Sequence, residues 1–382
     1  MTGFMASTMC NTTNGRLTVA HVVLNLDIGG LEQIVISLVK NSAPDRFRHL
    51  VYCLGSGGTL ADELRKNGFP VTAMNKPEGL SLTLPLRLMR LFRREKVKVV
   101  HSHNYGALVY GEVAAKLAGV AGTVYTSHGR RSAHQKINPY LVRYFNYVNK
   151  AVGVSEDTTD LLMETSGFPL DRTMTIINGL DVKRFGGAVD VQRKKEELGI
   201  AGAEHVIGIV ARLSADKDHK SLLEAYALIL AKRTDITLLI VGDGPLKNEL
   251  LHKSTELNLG PKVVFLGDRL DVPEILKVLD LFVLSSVTEG LAVTLLEAMA
   301  SDLPIVATEV GGNPEVVVHD ETGIIVPPQN PARLAEAMNW MIDHREEAAR
   351  MGRRGKERVI EHFSIEAMVR QYEDLYESFI TH

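Results

Sequence analysis

Cysteine is scarce in this chain. Of 382 residues only Cys10 and Cys53 carry a thiol, which excludes a small disulfide-stapled scaffold and fits a reducing compartment. Long hydrophobic runs are also missing: no stretch approaches the roughly 18 consecutive apolar residues of a membrane-spanning helix. The opening MTGFMASTMCNTTNGR lacks a charged segment followed by an apolar one, so it does not read as a secretory signal, and residues 1–16 are expected to be a disordered extension. Net charge is small, at −3, and no strongly basic domain is present, which argues against a nucleic-acid partner. Neither a G-x-G-x-x-G fingerprint nor a G-x-x-x-x-G-K-[ST] loop occurs, so the dinucleotide and P-loop readings are weak. The expected location is the cytoplasm.

What the chain has is an ordinary globular composition, 45% hydrophobic and 23% charged. About 150 residues per domain gives a prior of two to three domains. Charge divides unevenly. Residues 1–180 carry 20 Lys and Arg against 13 Asp and Glu, a net +7, and residues 181–382 carry 23 against 33, a net −10. A basic front half favours acidic ligands or an anionic membrane surface, such as the inner face of the plasma membrane.

Short apolar runs alternate with amphipathic stretches throughout. Strands are predicted at Leu17–Leu26, Leu50–Leu54, Val97–His101, Thr123–Thr126 and Ala151–Val154. Helical patterns intervene, among them Leu31 to Lys40, Leu84 to Arg94 and Gly106 to Leu117. A second series runs Val206–Ala211, Thr237–Val241, Val263–Leu266, Leu281–Leu284 and Ile305–Ala307. This βαβα order predicts parallel sheets covered on both faces, and two sheets fit better than one. The break is placed between Asn178 and Ala203, with Gly186-Gly187 as linker. From Ser364 to Ile380 apolar residues recur at helical spacing, so a terminal helix must dock, either on the second domain or back on the first.

On such sheets ligands meet the carboxyl ends of strands, where helix N-termini point at them. Four segments qualify. TEGLAVTLLEAMA (288–300) sets Glu289 in a strand-to-helix loop and Glu297 about two turns into the helix. Carboxylates there can accept hydrogen bonds from sugar hydroxyls, while Gly290 and the N–H groups near Leu291 and Ala292 can approach an anion. The plainer reading is a helix-start acid and a solvated glutamate. Arg212 and Lys217 (RLSADK) follow the first strand of the second series and can clamp a diphosphate, or simply offset local acidity. Gly29-Gly30 in DIGGLE brings backbone N–H groups to a helix start, or makes a plain tight turn. His128 in TSHGR can donate to a sugar hydroxyl, or be a satisfied strand-edge histidine. His101-Ser102-His103 looks like a metal pair without an identifiable third ligand. Asp216-Lys217-Asp218 spells D-x-D, but its lysine and the nearby arginine favour direct phosphate contact. No metal and no cofactor are expected.

Taken together these residues resemble glycosyltransferase family 4, the glycosyl transferases group 1, with the GT-B fold; VATEVGGNPEVV (306–317) and ETGIIVPP (321–328) add to the likeness. DIGGLE and LEAMASDLPIVATEVGGNPE resemble, more loosely, bacterial exopolysaccharide sugar transferases. The resemblance implies an acceptor-side Rossmann-like domain (17–185) and a donor nucleotide-sugar domain (186–362) facing across a cleft, with a C-terminal helix (363–382) crossing back to the first. It implies a retaining, metal-independent hexosyl- or N-acetylhexosaminyltransferase in bacterial polysaccharide or glycoconjugate synthesis, using a UDP- or GDP-sugar and a glycan or lipid-linked acceptor. Glu297 would hold ribose hydroxyls and Glu289 donor-sugar hydroxyls. Arg212 and Lys217 would hold the diphosphate, Gly30 with the Gly290–Ala292 backbone would approach it, and His128 would reach the sugar from the opposite wall. Two departures stand out: Asp218 where glycine is usual, and Leu291-Ala292 in place of an aromatic-and-small pair.

An epimerase or hydrolase on the same two-domain plan, or a silent nucleotide-binding member, are the alternatives. A double-displacement hydrolase would need two carboxyl groups about 5–5.5 Å apart across the bond, whereas one carboxylate is assigned here to the ribose. The basic stretch Arg87, Arg90, Arg93, Arg94, Lys96 and Lys98 lies beside Leu84, Leu86, Leu88, Met89, Leu91 and Phe92. It can rest on an anionic membrane, helped by Arg130, Arg131, Lys136, Arg143 and Lys150 if they share that face, or be a packed helix with a solvated basic face. The sequence does not indicate an oligomeric state.

Overall fold

Leu17–Val23 (β1) is buried at every position. A strand apolar on both sides must be covered on both sides, and this one is an interior strand of a parallel sheet. The computed structural model describes residues 15–129, 147–166 and 168–380. Residues 1–14 of the expected extension, and Arg130, Arg131, Lys136 and Arg143, lie outside them.

The first sheet adds β2 (Phe47–Cys53), β3 (Val71–Ala73), β4 (Val99–His103), β5 (Gly122–Ser127), β6 (Lys150–Gly153) and β7 (Thr173–Thr175), in the order β3-β2-β1-β4-β5-β6-β7. The second contains β8 (His205–Val210), β9 (Ile236–Val241), β10 (Val263–Gly267), β11 (Leu281–Leu284), β12 (Ile305–Thr308) and β13 (Ile324–Val326), in the order β10-β9-β8-β11-β12-β13. All pairings within both sheets are parallel. Each sheet reverses its strand order beside its first strand, which opens a crevice at the carboxyl edge. The architecture is α/β with two Rossmann-like domains.

Three strands escape the sequence reading: β3, β7 and β13. Each is three residues long at a sheet edge, too short to show a period. The expected linker is also more ordered than its glycines suggest. It contains a single-turn helix, Val182–Phe185, and the helix Val191–Glu197, whose N-cap Asp190 accepts from Arg193 N.

The helix Ile365–Ser378 crosses back to the first sheet. Tyr376 Oη lies 2.7 Å from His101 Nδ1 on β4 and Tyr372 Oη lies 3.1 Å from Thr126 Oγ1 on β5. Ala43 N donates to Glu373 Oε1 at 2.7 Å, and Arg46 pairs with Glu377 at 2.7 Å. Met368, Tyr372 and Tyr376 are buried in one apolar cluster with Ile34, Leu38 and Phe47 of the first domain and the core of the second. Burying a large side chain of this kind contributes about 1.5–3 kcal/mol, so the docked position is held by packing as much as by its polar contacts.

The basic helix Leu84–Arg94 sends Leu84, Leu88 and Phe92 into the first domain's core. Its apolar stripe is thus engaged by packing, with Leu86 left exposed. Among the described residues no helix is long and apolar enough to cross a membrane.

Candidate active site

The expected segments lie where strands end: Gly29-Gly30 beyond β1, His128 beyond β5, Arg212 beyond β8 and Glu289 beyond β11. Two contacts across the domains bring them together. A methyl group on Gly30 would sit 3.5 Å from Val293 Cγ2, and one on Gly290 would sit 2.5 Å from the His128 carbonyl oxygen and 2.8 Å from Gly129 Cα. Gly290 therefore permits a close approach that no other residue allows. Gly29 differs: its φ of −175° is extended backbone open to any residue, and the space beside it is filled by the Glu32 side chain.

Lys217 ends a single-turn helix, Ala215–Lys217, and its Nζ lies 2.5 Å from Glu289 Oε1. Glu289 is buried, and the same oxygen accepts from Ser286 Oγ at 2.6 Å. Ser285 Oγ donates to the Lys217 carbonyl at 2.9 Å and Val287 N to the Asp216 carbonyl at 2.9 Å. The loop after β8 is thereby fastened to the loop after β11. Asp218 explains its departure from the usual glycine. It has φ +44°, the left-handed region that glycine enters freely and aspartate tolerates, and it caps the helix His219–Leu230 through Ser221 N and Oγ. Its carboxylate is turned to its own helix, which disfavours the D-x-D reading.

Arg212 is exposed, two residues beyond the end of β8. Its charge is felt by Glu32 of the first domain, whose carboxyl is pushed up to about 7, first by burial and also by Asp27, with Arg212 opposing. The sequence does not single out Glu32, although it stands two residues after the glycine pair. Glu297, in the helix Val293–Ala300, is likewise pushed up to about 7 by burial, opposed by Arg184. No side-chain hydrogen bond reaches it among the described residues. It is a partly shielded acceptor pair that gains from two hydroxyl donors. Leu291 and Ala292 are buried at that helix's start, leaving backbone rather than side chain to meet a ligand.

His128 lies at the opposite wall. Its backbone N donates to Asn104 Oδ1 at 3.1 Å, and its Nε2 lies 3.0 Å from His103 Nδ1. Burial pushes its imidazole down to about 3, so it is neutral at pH 7. The structure also supplies a neighbour for the His101/His103 pair that the sequence did not reveal. His21, inside the apolar strand β1, places a ring nitrogen within 4.8 Å of nitrogens on both. All three are buried, and every ring nitrogen among them has a hydrogen-bond partner in protein. A cavity of about 410 Å³ opens at the far edge of the second sheet, lined by His205, Asp280, Asp302 and Arg345, and shares no residue with this cleft.

Two Rossmann-like domains meeting at their strands' carboxyl ends define the GT-B class of glycosyltransferases. Residues 28–184 match the model of glycosyltransferase family 4 and residues 190–358 that of glycosyl transferases group 1. The chain belongs to this family. It is 26% identical over 379 residues to the Escherichia coli UDP-Gal:alpha-D-GlcNAc-diphosphoundecaprenol alpha-1,3-galactosyltransferase, covering 96% of this chain and 98% of that one. It is 29% identical over 300 residues to the N-acetyl-alpha-D-glucosaminyl L-malate synthase of Bacillus anthracis, covering 77% and 78%. Its fold is similar to that of Anabaena HepE in complex with UDP-glucose, with a TM-score of 0.83 at 23% identity, covering 95% of this chain and all of that one.

Proposed function

We propose that this chain is a retaining glycosyltransferase that moves a hexosyl or N-acetylhexosaminyl group from a UDP-sugar to a glycan or lipid-linked acceptor in bacterial polysaccharide or glycoconjugate synthesis, without a metal ion. The observation that carries it is the Lys217–Glu289 contact, which puts a cation and a hydroxyl-accepting carboxylate side by side at the mouth of the second sheet. The similarity to a UDP-galactose-dependent enzyme that acts on a diphosphoundecaprenol-linked sugar supports the donor base and the lipid-linked acceptor.

Arg212 and Lys217 hold the diphosphate, with the Gly290–Ala292 backbone and Gly30 close to it. Glu289 accepts from donor-sugar hydroxyls and Glu297 from the ribose. His128 and the Gly29-Gly30 loop close the site from the first domain. The anomeric C–O bond breaks and its electron pair goes to the diphosphate oxygen. The acceptor oxygen bonds to the same face of the sugar, and its proton passes to the departing diphosphate. Fixed cations and helix N–H groups aimed at that oxygen stabilise the transition state more than the ground state. They occupy the role a divalent ion would otherwise fill.

The test is a thermal-shift screen with UDP, GDP and ADP, followed by product analysis with donor alone and with a polyprenyl-diphosphate sugar. A ligand at 100 times its Kd adds about 2.7 kcal/mol. Stabilisation by UDP, and a new α-linked glycoside formed in excess EDTA, is the expected outcome. Free sugar as the sole product, an isomerised nucleotide-sugar, no product at all, or activity that needs Mn²⁺ would each overturn the reading.

A further inference from the structure

Behind His128 runs a line of buried imidazoles that the transfer reaction does not use. His49 Nδ1 on β2 lies 2.8 Å from His21 Nε2 on β1, His21 Nδ1 lies 3.1 Å from His103 Nε2 on β4, and His103 Nδ1 lies 3.0 Å from His128 Nε2. The line crosses three adjacent strands, since β2, β1 and β4 are neighbours in the sheet, and ends at the cleft. Its two terminal nitrogens, His49 Nε2 and His128 Nδ1, are both buried without a partner among the described residues.

Burial pushes every member down, His49 to about 4 and His128 to about 3, with His21 and His103 well below the ordinary histidine value. At pH 7 the line is therefore neutral, and each ring carries one hydrogen. Four hydrogens must then serve three links and one end. Once the end is chosen, every ring is determined. Either all four rings carry hydrogen on Nε2, and His49 holds the spare N–H, or all four carry it on Nδ1, and His128 does. No mixed arrangement of neutral rings satisfies all three links.

The ends are not equivalent. His49 lies in the interior against Phe47 and Tyr376, where an orphaned N–H would be a standing cost, and buried orphan donors are rarer than bare acceptors. His128 Nδ1 is enclosed as well, but His128 stands where the two domains meet, its carbonyl against Gly290, so it is the end that a ligand oxygen bound between the domains can satisfy. We infer that His49, His21 and His103 are positioning residues that lock His128 in the Nδ1–H tautomer, so that it presents a hydrogen-bond donor to the donor sugar. The statement of what that N–H meets rests on the proposed function; the tautomer itself does not. His101 stands outside the line, its Nδ1 taken by Tyr376 and its Nε2 by Thr126.

The experiment is long-range ¹H–¹⁵N correlation on the ¹⁵N-histidine-labelled full chain at pH 7, without ligand and with UDP-glucose, assigned by single substitutions. The expected result is a protonated Nδ1 and a bare Nε2 on His128, with the same pattern on His103, His21 and His49. In His103→Asn, melting near the wild type, His128 should lose that single pattern and show both tautomers. Hydrogen on Nε2 of His128, an imidazolium anywhere in the line, or an unchanged His128 in His103→Asn would overturn the inference. So would stoichiometric Zn²⁺ uptake that shifts His21, His101 and His103 together, which would replace the line by a metal site. A uniform pattern in a protein that transfers no sugar would leave the inference standing while removing the functional reading.

Discussion

Lys217 and Glu289 are 72 positions apart in the chain and 2.5 Å apart in space. The carboxylate is nearly enclosed and the ammonium partly exposed, with side-chain accessibilities of 7% and 20%. On the proposed reading such a pair has two duties, since the lysine that offsets the buried carboxylate keeps part of its surface open for a diphosphate. Lys217→Ala should therefore do more than slow transfer. Removing one contact to the leaving group is expected to cost about 10²–10³ in rate. Leaving Glu289 unpaired should lower stability by about 1–3 kcal/mol. Adding Glu289→Gln should return most of the stability and none of the rate. Melting curves and turnover of the two variants check this, and unchanged stability in Lys217→Ala would count against the pairing.

Glu297 is expected to separate affinity from stability. In Glu297→Gln at pH 8, losing the proposed charge-assisted bonds to ribose hydroxyls should weaken UDP binding by about 1.5–3 kcal/mol, roughly 10- to 150-fold. The ligand-free protein should be as stable or more so, because a shielded charge has been removed. Titration calorimetry against melting temperature is the measurement.

Gly290→Ala tests the meeting of the two domains. The added methyl group would lie 2.5 Å from the His128 carbonyl oxygen, and relief requires backbone to move. We expect turnover to fall steeply while UDP still binds, with a stability loss of about 1–3 kcal/mol. Wild-type turnover would mean that this contact is not part of the working state.

The histidine line sets an acid limit on stability. His49 and His128, held at about 4 and about 3, titrate near 6.5 once unfolded. Between those values the unfolded chain binds more protons than the native one, so stability is intact above pH 6.5 and falls as pH drops toward 4. Each such histidine contributes at most about 1.4 kcal/mol per pH unit across that window. Urea midpoints at several pH values should show this slope, and His49→Phe should flatten it.

Strand interiors and the strand-end loops could be read from sequence because burial on both faces leaves apolar runs, and parallel sheets place their ligands at one edge. Arg212, Lys217, Glu289 and His128 were legible this way as candidates, each in a loop beyond a strand, and Glu297 by its spacing from Glu289. The edge strands β3, β7 and β13 were not, since three residues show no period. His21 and His49 lie inside apolar strands, where a single polar residue carries no hint of its neighbours. Asp218 departs from the expected glycine in residue type but keeps a left-handed backbone and caps its helix, which local sequence does not display. Pairings such as Lys217 with Glu289 depend on which strands become neighbours, and that order is not written locally.

The helix Ile365–Ser378 completes the first domain from the far side of the chain, with Tyr376 on His101 and Tyr372 on Thr126. During synthesis the amino-terminal half must therefore wait for this late segment before its interior is sealed. The two halves mature together, and a nick or truncation ahead of residue 365 should be felt first at strands made more than two hundred residues earlier.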